Sequence, residues 1–194
     1  MRTLLRTGLV VCILSALSFA AVAQETEAYT VDPSHAGISF KISHLGLSWV
    51  HGRFDDLSGQ FTLDRQNPAN CSFELEAKTD SIDTNNRKRD DHLRSPDFFN
   101  SKQFPGITFK STSIRSAQDG YEVTGDLTLH GVTRPVTFLL SGGKTAEFPK
   151  GVHRTGFSGE LSIKRSDFGI NKYVGAVADI VHLEMSFEGT KKKG

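Results

Sequence analysis

An all-β fold is predicted for this chain on three observations: apolar and polar residues alternate with a period of two along most of it, turn-formers separate the alternating runs, and a single charged stretch near residues 85–101 interrupts them. The runs follow in order. Ile38, Phe40 and Ile42 alternate with Ser39, Lys41 and Ser43, and Gly59, Phe61 and Leu63 with Gln60, Thr62 and Asp64. Cys71, Phe73, Leu75 and Ala77 alternate with Ser72, Glu74, Glu76 and Lys78. Beyond the charged stretch, Ile107 and Phe109 begin a strand reaching about Ile114, and Tyr121, Val123, Gly125, Leu127 and Leu129 form the next. Val136, Phe138 and Leu140 mark another; Phe157, Gly159, Leu161 and Ile163, then Val181, Leu183, Met185 and Phe187, complete about eight. One-sided strands of this kind belong to antiparallel sheets. A sandwich and an up-and-down barrel both satisfy the pattern. Gly59, Gly125 and Gly159 fall on inward faces, where they leave space or let a strand bend, and this favours the barrel.

The interruption runs Arg89-Asp90-Asp91-His92-Leu93-Arg94-Ser95-Pro96-Asp97-Phe98-Phe99. Ser95 followed by Pro96 has the form of a helix N-cap with proline at the first helical position, so a loop leading into a short helix is expected. Long charged connections in compact β domains are usually functional or disordered, and Phe98-Phe99 argue against disorder. A helix that plugs one end of the core, its charges solvated, explains the same residues.

At the start of the chain, Arg2 and Arg6 precede an apolar run from Leu9 to Val22, and Ala21-Val22-Ala23 has the form of a signal peptidase site. Residues 1–23 therefore read as a cleaved secretory leader and 24–194 as one soluble domain. With 23 basic and 22 acidic residues in all, two of the basic ones in the leader, the charge balance gives no electrostatic case for nucleic acid. Cys12 lies in the leader. Cys71 is left alone and in phase with Phe73, which predicts a buried, inert thiol and a fold without an internal disulfide.

Catalytic motifs are sparse. Gly156-Phe157-Ser158-Gly159-Glu160 approaches a nucleophile elbow but lacks the final glycine and sits in a strand. No P-loop, dinucleotide fingerprint, H-E-x-x-H or haem-attachment motif occurs, and the seven histidines are scattered. Asp90 and His92 are spaced for an acid-base pair, or for a carboxylate that orients an imidazole and ties the loop to the barrel. No nucleophile accompanies them, so neither a catalytic residue nor a metal site is assigned. The chain is instead rich in phenylalanine: of 14, only Phe19 precedes residue 24. Phe has no polar tip to satisfy, so the inward faces suit either a dry tunnel for an apolar chain or an ordinary core.

Eight blocks, in order along the chain, resemble the YceI-like family of periplasmic proteins. They are Tyr29-Thr30-Val31-Asp32-Pro33-Ser34-His35, Phe40-Lys41-Ile42-Ser43-His44-Leu45-Gly46, Gly52-Arg53-Phe54, Ser81-Ile82-Asp83-Thr84, Arg89 to Ser95, Phe104-Pro105-Gly106-Ile107-Thr108-Phe109, Gly125 to Val136, and Arg165-Ser166-Asp167-Phe168-Gly169-Ile170. The resemblance implies a lipocalin-like, extended eight-stranded antiparallel barrel with a short helical insertion. It also implies a non-enzymatic carrier of a long isoprenoid or related amphiphile, of polyprenyl phosphate or quinone type, and in many members a homodimer. Such a ligand is compatible with transient membrane contact. On this reading Ile38, Phe40, Ile42, Phe61, Phe73, Phe98, Phe99, Phe109, Leu127, Phe138, Phe157 and Met185 line the tunnel. Arg89, Asp90, His92 and Arg94 stand at its polar mouth. The competing readings are an enzyme that modifies a bound isoprenoid through Asp90 and His92, and a secreted stress factor that acts through its surface.

Overall fold

A computed structural model describes residues 26–192; the leader expected over residues 1–23 lies outside the described residues. The described residues form ten strands and one α-helix: β1 (Glu27–His44), β2 (Ser48–Phe54), β3 (Leu57–Leu63), β4 (Ser72–Lys78), β5 (Ile82–Asp83), α1 (Arg87–Arg94), β6 (Gly106–Ala117), β7 (Gly120–Leu129), β8 (Val132–Glu147), β9 (Val152–Lys164) and β10 (Val177–Lys192). Each strand pairs antiparallel with its neighbour, and β1 pairs with β10 to close an eight-stranded barrel. Two of its staves are broken. The first is β2 and β3, interrupted at Asp55-Asp56: β2 pairs with the second half of β1 and β3 with the first. The second is β4 and β5, interrupted at Thr79–Ser81, so that β5 pairs with β2 beyond the end of the β3–β4 ladder. Pairing of β6 with β4 ends at Gly106↔Lys78, and above that point the wall is made by α1 and the turns that follow it.

Turn chemistry sets the registers. Between β7 and β8, His130 and Gly131 take φ of 53° and 76°, the two positive values that a two-residue type I′ hairpin needs, and Leu129 faces Val132 across it. The helix begins earlier than its sequence cue. Asn86 is the cap, its side chain accepting from the Arg89 N–H at 3.0 Å, whereas Ser95 follows the last turn and its hydroxyl donates to the His92 carbonyl at 2.7 Å. Asn and Ser cap equally well, and Pro96, unable to continue a helix, here marks its end.

The inward glycines do not open space. A Cβ on Gly125 would meet the Phe109 ring at 2.5 Å as well as the Lys110 carbonyl, so this glycine is an indentation already filled by Phe109. At Gly59 a Cβ would strike the Glu74 carbonyl, and at Gly159 the Leu139 carbonyl at 2.7 Å, which makes both of them close approaches of backbone to backbone.

The barrel interior has two halves. At the pole formed by the start of β1 and the end of β10, Phe61, Phe73, Phe157 and Phe187 meet across the axis with ring centroids 5.3–6.3 Å apart, and Tyr29 stacks on Phe61 at 5.2 Å. Aromatic pairs in this geometry add about 0.5–1.5 kcal/mol each beyond area burial. This half is a solid plug. In the other half the inward side chains of β1, β9 and β10, such as Ile38, Phe40, Leu161, Ile163 and Leu183, remain only half-buried.

Candidate functional site

Those half-buried side chains surround a cavity of about 390 Å³, within the range of about 300–1,000 Å³ usual for small-molecule sites. Of the twelve residues expected to line a tunnel, Ile38, Phe40, Ile42, Phe98, Phe99, Phe109, Leu127, Phe138 and Met185 do so. Phe61, Phe73 and Phe157 do not; they belong to the plug. Period-2 alternation fixes which face a side chain takes but not its depth along the axis, and at that pole the rings are long enough to fill the lumen.

The four residues expected at a polar mouth divide two and two. Arg89 and His92 line the cavity, whereas Asp90 and Arg94 do not. Asp90 is buried and accepts from Thr84, through the backbone N–H at 3.0 Å and through the hydroxyl. Arg89 donates from Nε to that hydroxyl oxygen at 2.7 Å and from Nη2 to the Thr84 carbonyl at 2.7 Å. Arg94 donates to the carbonyls of Asp80 and Ile82 at 2.8 and 2.7 Å, stapling the helix to the end of the broken stave. Asp90 and His92 therefore form no acid-base pair. The imidazole of His92 pairs with Asp97 at 2.9 Å, and its ring packs edge-on against Phe98. Hydrogen bonding from His92, then from Lys172, holds the Asp97 carboxyl below the usual carboxylate range.

Sequence reasoning missed several contributors, among them two that differ in kind. One is β2, whose Val50 and Phe54 line the cavity. Its inward row reads Val50, Gly52, Phe54, and the glycine dilutes the alternation; the Phe40 ring occupies the space a Gly52 Cβ would need. The other is Arg165, buried at the edge of the cavity, which donates to the carbonyls of Ala178 (2.9 Å), Ile170 (3.0 Å), Lys172 (2.8 Å) and Val177 (3.1 Å). Burial lowers its pKa from the ordinary value, opposed by the charge of Asp179. The signal for it was the consecutive Lys164-Arg165, which breaks the alternation of β9.

The model of the YceI-like domain matches residues 29–189. The chain belongs to the YceI-like family. A protein called YceI from Escherichia coli is 41% identical over 181 residues, covering 92% of this chain and 95% of its own. A Pseudomonas aeruginosa protein of the UPF0312 group is 39% identical over 191 residues, 97% of this chain and all of its own. Among solved structures, BcnA of Burkholderia cenocepacia superposes with a TM-score of 0.74 at 27% identity, over 81% of this chain and 98% of its own. A polyisoprenoid binding domain from Saccharophagus degradans shares the fold at a TM-score of 0.63 and 17% identity, over 84% of this chain and 98% of its own.

Proposed function

We propose that the protein holds a long-chain amphiphilic lipid of isoprenoid type, its tail along the apolar half of the barrel and its head group beside Arg89 and His92. The cavity carries this reading: its lining is apolar except for Thr108 on β6 and a few groups gathered near α1 and the Arg165–Val177 segment. Burying a tail gains about 0.8 kcal/mol per CH₂ relative to water. A bilayer offers nearly the same gain, so selection between protein and membrane falls to the head group and the shape of the lumen. The Saccharophagus relative's description as polyisoprenoid binding sets the ligand class to be tried first, and polyprenyl phosphates and quinones are its two candidates. The expected leader makes the periplasm the proposed site of action.

Binding also accounts for the mouth better than catalysis does. The carboxylate of Asp90 is committed to Thr84, and His92 to Asp97, so neither is arranged to pass a proton to the other. Native mass spectrometry of the purified full chain, followed by organic extraction, tests the proposal. A co-purifying long-chain lipid is expected. Lipid-free protein that takes up neither polyprenyl phosphate nor quinone would overturn it.

A further inference from the structure

Six of the eight exposed large apolar side chains among the described residues lie at or just below the mouth of the cavity: Leu45, Leu47, Trp49, Tyr173, Val174 and Ile180. Leu45 and Leu47 stand on the β1–β2 turn, Leu47 with 82% of its surface exposed. The Leu45 N–H donates to the Ala176 carbonyl at 2.7 Å, which holds this turn against the segment bearing Tyr173 and Val174. His44, Tyr173 and Val177, neighbours of these residues, line the cavity. The apolar tips therefore ring the entrance on this side.

The strand registers place the residues below them in rows. Trp49 pairs with Ser43, and Ile180 with Lys164. The next outward row is His51, Lys41, His182 and Ser162; acidic residues enter one row further on, with Glu184 opposite Glu160. The Lys41 ammonium sits 5.4 Å from the centre of the Trp49 ring. Across the mouth, Asp97 is engaged by His92 and Lys172, and Asp91 by Arg94. Aliphatic tips, then an indole, then the Lys41 ammonium is the order in which such groups partition at an anionic bilayer surface, from the acyl boundary outward to the head groups.

The geometry points to this rim as a docking surface for an anionic lipid bilayer, seating the cavity mouth on the membrane so that a lipid tail passes between bilayer and barrel without crossing water. The inference extends the lipid-holding reading, and its test keeps the two apart. The full chain is mixed with vesicles of phosphatidylglycerol and phosphatidylcholine, or of phosphatidylcholine alone. Co-sedimentation with the anionic vesicles is expected, together with a shift of emission to shorter wavelength from Trp49, the chain's single tryptophan. Leu47→Ser should weaken vesicle binding about tenfold or more. Lys41→Ser should weaken binding to the anionic vesicles about fivefold. Both side chains are on the surface, so thermal melts should be unchanged, and lipid recovered by organic extraction of the variants should match the wild type. Absence of co-sedimentation, or binding by both variants equal to the wild type, would overturn the inference. So would a dimer in solution that Leu47→Ser dissociates while vesicles bind neither form, which would make the rim a contact for a second copy. Docking without extractable lipid would instead overturn the holding reading and leave the docking surface standing.

Discussion

The Asp90 carboxylate accepts both hydrogen bonds that Thr84 has to give, one from the backbone N–H at 3.0 Å and one from the hydroxyl, and both residues are buried. Arg89 completes the motif by donating to the same hydroxyl oxygen and to the Thr84 carbonyl. Three residues thereby fasten the helix over the gap left by the broken stave. Thr84→Val keeps the shape but removes the hydroxyl, leaving Asp90 and Arg89 each short of a partner. Thermal denaturation should show a loss of about 1.5–3 kcal/mol. Asp90→Asn, which retains an acceptor for the N–H, should lose less. No loss in Thr84→Val would show that the hydroxyl is dispensable.

Acid should open the same region. The carboxyls of Asp97 and Asp179 are both held below their ordinary values, Asp97 chiefly by hydrogen bonding from His92 and Asp179 by hydrogen bonding from the Ser166 hydroxyl and then its N–H. A group whose folded pKa is depressed contributes its stability above the unfolded value, near 3.9 for Asp, and that contribution fades as pH falls through the folded value. Melting temperature should therefore hold level from neutral pH to about pH 4 as far as these carboxyls are concerned, then fall. Asp97→Asn should shallow the fall, and a pH profile identical to the wild type would remove Asp97 from the account.

The two halves of the barrel should respond oppositely to volume. Phe61→Ala, in the plug, should cost about 3–5 kcal/mol and leave the lipid-holding half intact. Val181→Phe points extra volume into the cavity, where there is room, and should cost under about 1.5 kcal/mol while lowering the lipid recovered by extraction. Gly125→Ala has no such room: it should drive Phe109 from its place at a cost of about 1–3 kcal/mol. Chemical denaturation paired with lipid extraction separates the three. A Val181→Phe protein as lipid-laden as wild type would show that the tail lies elsewhere.

Cys71 is buried, with its sulfur 3.2 Å from the Asp64 N–H, and burial pushes its thiol pKa up. Thiol reagents should label it only as fast as the barrel opens, with the full rate appearing in denaturant. Rapid labelling of native protein would contradict the packing.

Much of the barrel was legible because alternation is a local signal. Phe40, Phe109, Leu127 and Met185 all face inward as their strands demand. What alternation lacks is depth along the axis, and so Phe61 and Phe73, indistinguishable by pattern from Phe109, turned out to be plug. Glycine was misread for a related reason. An absent side chain at Gly125 suggests a void, but a ring from a neighbouring strand, Phe109, occupies it. The helix was placed too late because Ser95 is as good a cap as Asn86, whose side chain caps it through the Arg89 N–H. Arg165 was hidden because its partners are carbonyls from residues 170–178, and a carbonyl leaves no mark in a sequence.

The seam between β1 and β10 joins Thr30 to Thr190 and Ile42 to Val181, the two ends of the domain. Bringing such distant segments together carries the largest loop-closure cost of any pairing in the sheet, so the ring closes late, after the local hairpins have formed. Until the final strand arrives, β1 and β9 present bare edges and the lumen is an open trough. A nascent chain halted anywhere short of β10 has no finished container. The protein acquires its interior only once β10 has been made, and a truncation before that strand should yield an aggregating sheet rather than a leaky barrel.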